Sequence, residues 1–182
     1  KYMNQKAEQM PLSLDDIALP TQVFSDRLEL TIGNEHFVLQ HHKGETDDQL
    51  YVWLPDRKIL ATADYYQGFM PNAGNGKRVQ RHIKEWIVAL REMAALGATI
   101  MLPAHGEALT EADSIQSEFN LLANAFESIR TQAIDGLNRG LRKDQIFQSI
   151  TLPDELAYEH TLREQYVSYE DVSTMVLKRY TG

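Results

Sequence analysis

The chain of 182 residues contains no cysteine. This absence excludes disulfides, a thiolate nucleophile and cysteine metal ligands, and it leaves the redox compartment open. No apolar run approaches the roughly 20 residues that a membrane-spanning helix requires. Internal repeats and low-complexity tracts are absent as well. The net charge of −8 argues against nucleic acid as a partner, because nucleic-acid-binding proteins usually carry a basic surface.

The hydrophobic content of 43% is sufficient for one sizeable core or two small ones. Residues 1–20 are predicted to form a linker or a partly ordered surface segment, broken at Pro11 and Pro20. Strand-like sequence then continues to about residue 110, and the remaining sequence is helical in pattern. We therefore predict an α/β portion over 1–109 and an all-α domain over 110–182.

Two hairpins are predicted in the α/β portion. The first joins strands at 28–32 and 36–40 across Gly33-Asn34. The second joins strands at 49–54 and 59–63 across a turn that begins at Pro55.

A helix and a further strand follow the second hairpin. Apolar residues at three- and four-residue spacing predict a helix over 77–96, which Gly97 ends. The apolar run 98–102 predicts a short buried strand, which Pro103 ends. A strand–helix–strand unit places polar groups at the carboxyl ends of its strands, where α/β sheets bind ligands.

The sequence after residue 110 predicts four helices. An apolar stripe from Ile115 to Ala133 forms a helix that starts near Thr110 and ends near 136–140. A shorter helix is predicted over 143–150, and Pro153 occupies the first turn of another. Ser168 and Asp171 are predicted to cap a final helix.

Three polar motifs stand at the ends of the predicted strands: Gly44-Glu45-Thr46, Ala63-Asp64 and Pro103-Ala104-His105-Gly106. Folding of the second hairpin brings Glu45 and Asp64 to the same open end, and Pro103 presents His105 beyond the next strand. Glycine at 44 would let the backbone bend close to an ion. Two carboxylates and an imidazole are ligands that a divalent metal ion takes. Metal-assisted hydrolysis is the predicted chemistry, because bound metal makes hydroxide available near neutral pH.

In this order the motifs resemble the second half of a metallo-β-lactamase-fold hydrolase. Most of that superfamily has histidine at the position of Glu45. A glutamate at this position resembles the alkylsulfatase branch. The resemblance implies half of an αβ/βα sandwich and a site of two zinc ions. It implies that Glu45 ligates one metal, that Asp64 bridges both and that His105 ligates the other. Asp64 departs from the branch, in which glutamate usually bridges, but aspartate is the usual bridge elsewhere in the superfamily.

The resemblance also implies substrate contacts and a partner. Asn72 matches the asparagine of a loop that contacts sulfate in this family. The arginine that usually follows is displaced or substituted here, and the sequence leaves open whether Lys77 or Arg78 supplies the cation. The tyrosines at 65 and 66 would line an apolar groove for the leaving alcohol. The tail over 110–182 resembles a helical dimerisation domain, which implies a homodimer.

The first metal motif of the superfamily, His-x-His-x-Asp-His, is absent. None of the six histidines forms it; they are His36, His41, His42, His82, His105 and His160. The chain also begins without an initiating methionine. We therefore expect the C-terminal part of a zinc-dependent hydrolase of alkyl sulfates, whose other ligands lie in a missing N-terminal half. Three ligands hold metal weakly, so we expect this chain alone to be inactive.

Two alternatives remain open. One is a hydrolase of the same fold that acts on a phosphate, a lactone or a thioester. The other is a non-catalytic dimerisation module whose metal site has decayed. The family resemblance favours a periplasmic or secreted location, which the residues themselves leave unknown.

Overall fold

The computed structural model describes residues 13–74 and 81–181. Their strands form one sheet in the order β1-β2-β3-β4-β5, at Arg27–Ile32, Glu35–His41, Leu50–Leu54, Ile59–Ala63 and Ile100–Pro103. Strands β1 to β4 pair antiparallel, whereas β5 pairs with β4 in parallel. A short 3-10 helix at Leu14–Asp16 precedes the sheet.

Both predicted hairpins are confirmed, and their turns explain the register. Gly33 adopts a φ of 63° between β1 and β2, which glycine does without a steric cost. In the second turn the backbone N–H of Arg57 donates to Leu54 O at 3.2 Å. Lys58 then adopts a φ of 52° before β4 begins. The pairing places Val52 opposite Ala61, so β3 and β4 are in the register that a four-residue turn requires.

The α-helices of the described ranges are α1 at Ile83–Ala95, α2 at Ala112–Asn138, α3 at Lys143–Ser149, α4 at Asp154–Ala157 and α5 at Tyr169–Thr181. A 3-10 helix at His160–Leu162 separates α4 from α5. Helix α1 makes the crossover that the parallel pair β4 and β5 requires. Of these helices, none combines the length and the apolar character that a membrane crossing needs.

Several predicted helix starts differ from those observed. Residues 77–80 lie outside the described ranges, and the non-helical conformation of Arg81 and His82 delays the start of α1 to Ile83. Helix α2 begins after Glu111, which makes no side-chain cap, so the predicted start near Thr110 is wrong by about one residue. Pro153 is the residue before α4 rather than a member of its first turn.

The predicted cap of α5 is confirmed. The backbone N–H of Asp171 donates to Ser168 Oγ at 3.0 Å, and the backbone N–H of Ser168 donates to Asp171 Oδ2 at 2.9 Å. This reciprocal pair satisfies two backbone donors at the start of the helix, which typically contributes about 1 kcal/mol.

One hydrophobic core runs through both predicted parts of the chain. The indole of Trp86 on α1 packs edge-on against the ring of Phe126 on α2, with ring centroids 5.5 Å apart. Tyr66 packs in the same way against Phe119 on α2, at 6.3 Å. Full burial of each such side chain contributes roughly 1.5–3 kcal/mol. The boundary near residue 110 therefore marks a change in secondary structure, while the core is continuous across it.

The sheet has a buried face and an apolar face that the described helices leave partly open. Tyr51, Leu60 and Met101 are buried and belong to the core. On the opposite face, cross-strand pairing forms one apolar row, which we call the open row, of Leu28, Leu39, Val52, Ala61 and Leu102. None of these five residues is fully buried, and Leu102 is 44% exposed. An apolar sheet face of this kind normally packs against a further layer.

Candidate active site

An open cavity of about 360 Å³ lies where β4 and β5 end. Its lining residues are Glu45, Asp64, Gln67, Phe69, Asn72, His105 and Tyr166. This set includes four of the residues that the sequence predicts for the site, namely Glu45, Asp64, Asn72 and His105. The other two predicted site residues, Lys77 and Arg78, lie outside the described ranges.

The topology explains why Glu45, Asp64 and His105 lie together. Glu45 precedes β3 and Asp64 follows β4, so the antiparallel pairing of these strands places both at one end of the hairpin. Strand β5 runs parallel to β4, so His105 emerges beyond the same end. The backbone N–H of Ala104 donates to Ala63 O at 3.2 Å and ties the two exits together.

The backbone is strained immediately before Asp64. Ala63 adopts a φ of 47°, a left-handed conformation that costs an alanine about 1–2 kcal/mol. The pairing of β4 with β5 is irregular between Ala61 and Ala63. Strain of this kind persists only where the surrounding structure fixes it, and it is frequent at functional sites. Here it turns the chain out of the strand at the residue that presents Asp64.

Asp64 and His105 contact each other directly. His105 Nε2 lies 3.0 Å from Asp64 Oδ1, and Gln67 Nε2 donates to the same oxygen at 3.1 Å. Both members of the pair are substantially exposed, so the contact contributes at most about 1 kcal/mol to stability. The pair therefore orients the carboxylate and the imidazole at the cavity wall and is accessible to a ligand.

Glu45 is held by a separate set of donors. Asn72 Nδ2 and Arg81 Nη2 each donate to Glu45 Oε1 at 2.8 Å, and Arg81 Nη1 also donates to the backbone oxygen of Glu45. Burial raises the pKa of the Glu45 carboxyl, and the nearby charge of Asp64 adds to this effect. The Arg81 guanidinium acts in the opposite direction, but the net shift of the pKa is upward.

Gly44 is required by close packing, and its predicted role in letting the backbone bend close to an ion stays a prediction. A Cβ at this position would lie 2.7 Å from Gln49 Oε1 and 2.8 Å from Tyr65 Cε1. Gln49 Oε1 in turn accepts the backbone N–H of Glu45 at 2.5 Å. The backbone N–H of His82 donates to Gly44 O at 2.9 Å. The segment that carries Glu45 is therefore fixed on both sides.

The donor types of Glu45, Asp64 and His105 fit a divalent metal such as zinc, which takes oxygen and nitrogen ligands. Within residues 13–74 and 81–181, however, no three His, Asp or Glu side chains stand close enough together to hold a metal ion. Asp64 pairs with His105, whereas Glu45 pairs with Arg81. The described residues alone thus do not complete a metal site, and the three ligand assignments stay predictions.

The predicted apolar groove differs from the observed cavity wall. Tyr65 is fully buried and its hydroxyl donates to His42 O, so the prediction that it lines a groove is wrong. Tyr66 is 5% exposed, and its hydroxyl donates to Glu118 Oε2 at 3.1 Å beside a second, more polar cavity of about 290 Å³. The aromatic side chains on the main cavity are Phe69 and Tyr166 instead.

The sequence did not predict Gln67, Arg81 or Tyr166 as residues of the site. Arg81 lies inside the helix predicted over 77–96, and a single arginine in a helix usually indicates a solvent-exposed side chain. Tyr166 reaches the cavity from the irregular segment before α5, and its position depends on how the tail packs. Of the three, only Gln67 could have been inferred from its sequence neighbours, because it lies three residues after Asp64 and can donate to that carboxylate.

No protein-family model matches the chain. A linear primary-alkylsulfatase from Pseudomonas sp. (strain ATCC 19151) is 28% identical over 166 residues, which make up 90% of this chain and 31% of that protein. The solved structure of the stereoselective inverting sec-alkylsulfatase Pisa1 from Pseudomonas sp. matches with a TM-score of 0.79 at 20% identity, over 88% of this chain and 26% of that chain. A double mutant of PisA1 matches with a TM-score of 0.83 at 20% identity, over 91% of this chain and 27% of that chain.

These likenesses confirm the predicted α/β fold and the predicted resemblance to the alkylsulfatase branch. The chain spans about a third of the length of the curated relative and about a quarter of the solved alkylsulfatase. The likeness to the solved structures is one of fold, and it includes the helices beyond residue 110.

Proposed function

We propose that this chain is the C-terminal part of a zinc-dependent hydrolase that cleaves alkyl sulfates. The observation that carries the proposal is a single cavity lined by Glu45, Asp64, Asn72 and His105 in a chain similar to an alkylsulfatase. The order of the sequence motifs predicts Glu45, Asp64 and His105 for this site, and the family resemblance predicts Asn72.

The electrostatics of the cavity support a metal requirement. Its lining within the described ranges contains two carboxylates and one imidazole, and it contains no lysine or arginine. A sulfate ester is an anion, so the Asp64 carboxylate would repel it, whereas Arg81 offsets the charge of the Glu45 carboxylate. A divalent cation held by Glu45, Asp64 and His105 would reverse the sign of the site, and when bound it supplies a water that ionises near neutral pH.

Asn72 is suited to bind the sulfate group. Its amide nitrogen carries two hydrogens, of which one is directed to Glu45 Oε1, so the second is a donor for a sulfate oxygen. Its amide oxygen is buried and has no partner among the described residues. A buried acceptor without a partner costs about 1–3 kcal/mol, which a water or a protonated group in the filled cavity would recover.

Phe69 and Tyr166 form the apolar side of the same cavity. We assign the alkyl part of the substrate to these rings, because each buried methylene contributes about 0.8 kcal/mol to binding. The chain's own groups thus bind both ends of the substrate, with Asn72 at the sulfate and two aromatic rings at the alcohol.

The open row supports the view that the chain forms half of a larger sandwich. A second sheet supplied by residues outside this chain would cover Leu39, Val52 and Leu102 and would bring the remaining metal ligands. We therefore expect the 182-residue chain alone to bind zinc weakly and to turn over no substrate. On the family resemblance we also assign self-association to 110–182.

The test uses the longest natural protein that contains this chain. We expect it to hold about two zinc ions per chain by elemental analysis and to hydrolyse alkyl sulfates in preference to phosphate, lactone and thioester substrates. Asp64→Asn and His105→Ala should reduce sulfate release to the uncatalysed background. The matched controls Asp56→Asn and His36→Ala alter the same residue types away from the cavity and should retain activity.

The alternatives give different results in the same experiment. Preferential cleavage of a phosphate, lactone or thioester would assign the protein to another hydrolase activity of this fold. Protein without bound zinc and without turnover would identify a non-catalytic module. Light scattering of the wild-type chain tests the dimer separately, because a monomer at micromolar concentration contradicts self-association through 110–182.

A further inference from the structure

The Arg81 guanidinium is the cation that holds Glu45. Its Nη2 donates to Glu45 Oε1 at 2.8 Å, and its Nη1 donates to the backbone oxygen of the same residue. The side chains of Arg81 and Glu45 are 6% and 17% exposed. The Arg179–Glu85 pair nearby is 42% and 29% exposed. Burial of a charge pair costs desolvation energy that can exceed the attraction between its members, so stability alone does not explain this pair.

The contacts of Arg81 fix both the backbone and the side chain of Glu45. A planar guanidinium can donate to two acceptors at once in a fixed geometry, which an ammonium group does not reproduce. Here the two acceptors belong to one residue. Gln49 holds the backbone N–H of Glu45 from the other side, and Asn72 donates to the same carboxylate oxygen as Arg81. Rotation of the Glu45 side chain would break at least two of these bonds.

The same contacts distinguish the two carboxylate oxygens of Glu45. Oε1 accepts from both Arg81 and Asn72, whereas Oε2 accepts no hydrogen bond from the part of the chain that the structure describes. Glu45 lines the cavity that also contains Asp64 and His105. Oε2 is therefore the oxygen that remains for a ligand in the cavity.

We propose that Arg81 is a positioning residue, which locks Glu45 in one rotamer with Oε1 occupied and Oε2 presented to the cavity. The rotamer lock is a property of this chain by itself. Its consequence for metal binding rests on the proposed function, because it requires Glu45 to be a ligand. A hydrogen bond to a ligating carboxylate orients that ligand, and its loss typically reduces metal affinity about 10–100-fold.

The first experiment measures the rotamer in the 182-residue chain. Three-bond NMR couplings across χ1 of Glu45 should report one rotamer in the wild type and rotamer averaging in Arg81→Met. Arg81→Lys should also average, because lysine retains the charge but not the paired donors. The control Arg179→Met removes an arginine from another ion pair and should leave the couplings of Glu45 unchanged.

Folding of each variant is checked by the dispersion of its amide spectrum. If Arg81→Met does not fold, Arg81→Lys decides the question alone. A single wild-type rotamer of Glu45 in folded Arg81→Met or Arg81→Lys would overturn the proposal. Averaging in the wild type would overturn it as well, since no lock would then exist.

The second experiment measures zinc affinity in the longest natural protein that contains this chain. We expect Arg81→Met and Arg81→Lys to bind zinc about 10–100-fold more weakly than the wild type, with Arg179→Met unchanged. Unchanged or tighter binding by Arg81→Met would show that the guanidinium does not position a ligand. A wild-type protein without zinc affinity would refute the proposed function. The NMR couplings of Glu45 would then be the only test of the rotamer lock.

Discussion

Gly74 connects the loop of Asn72 to the tail, and we predict that Gly74→Ala lowers the free energy of unfolding by about 1–3 kcal/mol. A Cβ at Gly74 would lie 2.5 Å from both the carbonyl carbon and the Cβ of Asp171, and 2.6 Å from the backbone nitrogen of Val172. These atoms belong to the first turn of α5, so no rotation of a flexible side chain relieves the overlap. Gly74 is not among the glycines with positive φ, so the expected cost is steric.

The magnitude follows from how little the two segments can separate. Relief to an ordinary contact of 3.4 Å requires a shift of roughly 0.9 Å. Val172 is fully buried in the core, and the Ser168 and Asp171 cap fixes the start of the helix. Movement of α5 would open the core, so we expect the loop to yield. The hydrogen bond from Asn72 to Glu45 should lengthen as a result.

The assay is urea unfolding of the 182-residue chain, followed by circular dichroism and by the fluorescence of buried Trp86. The control is Gly97→Asn, because Gly97 has a φ of 69° with nothing within 4 Å of its added Cβ, and asparagine tolerates this conformation. We expect Gly97→Asn to change the stability by less than about 0.5 kcal/mol and to leave the Asn72 resonances in place. If Gly74→Ala behaves like this control, the loop does not pack on α5 as described.

Three further changes test other parts of the molecule. Ala63→Gly should raise the unfolding free energy by up to about 1 kcal/mol in the same urea assay, because it removes a left-handed alanine at some cost in entropy; a clear loss would contradict the strain. Burial raises the pKa of the Glu85 carboxyl. Hydrogen bonds from its own backbone N–H and from Arg179 outweigh burial, so the net pKa lies below its ordinary 4.5. A lowered pKa stabilises the fold above pH 4.5, and this contribution is lost as the pH falls through the folded-state pKa. Glu85→Gln should therefore lower the melting temperature more at pH 7 than at acidic pH, and equal losses at neutral and acidic pH would refute the linkage. Leu102→Glu on the open row should change the unfolding free energy by less than about 0.5 kcal/mol in the same urea assay, because Leu102 is 44% exposed, whereas a loss of several kcal/mol would place Leu102 in a core.

The strands were predictable because their signals are local. Apolar runs bounded by Gly33-Asn34 and by the turn at Pro55 define both hairpins, and hairpin closure follows from sequence neighbours alone. The convergence of Asp64 and His105 needed one further inference, that strand, helix and strand form a parallel pair. The crossover between two parallel strands of one sheet is right-handed in nearly all such units. The position of His105 could therefore be inferred without knowledge of its contacts.

The remaining parts of the site depend on long-range packing that no local pattern records. Arg81 contacts a residue 36 positions earlier, and the non-helical conformation that allows this contact interrupts an otherwise helical periodicity. Tyr65 and Tyr66 are adjacent in sequence, yet one is fully buried and hydrogen-bonded to backbone while the other reaches Glu118 on α2. Which tyrosine lies where is decided by the position of α2, which the sequence of the loop does not specify.

The tail contributes to the cavity as well as to the core, and this changes how its role should be viewed. Tyr166 lines the cavity directly, and the first turn of α5 packs against Gly74 behind Asn72. Phe126 of α2 packs on Trp86, whose indole N–H donates to the backbone oxygen of Tyr65, next to Asp64. A helical region that only joined two copies would need none of these contacts. Because the tail supports both the Asn72 loop and the segment that follows β4, any self-association through its outer surface would be connected to the site by packed side chains.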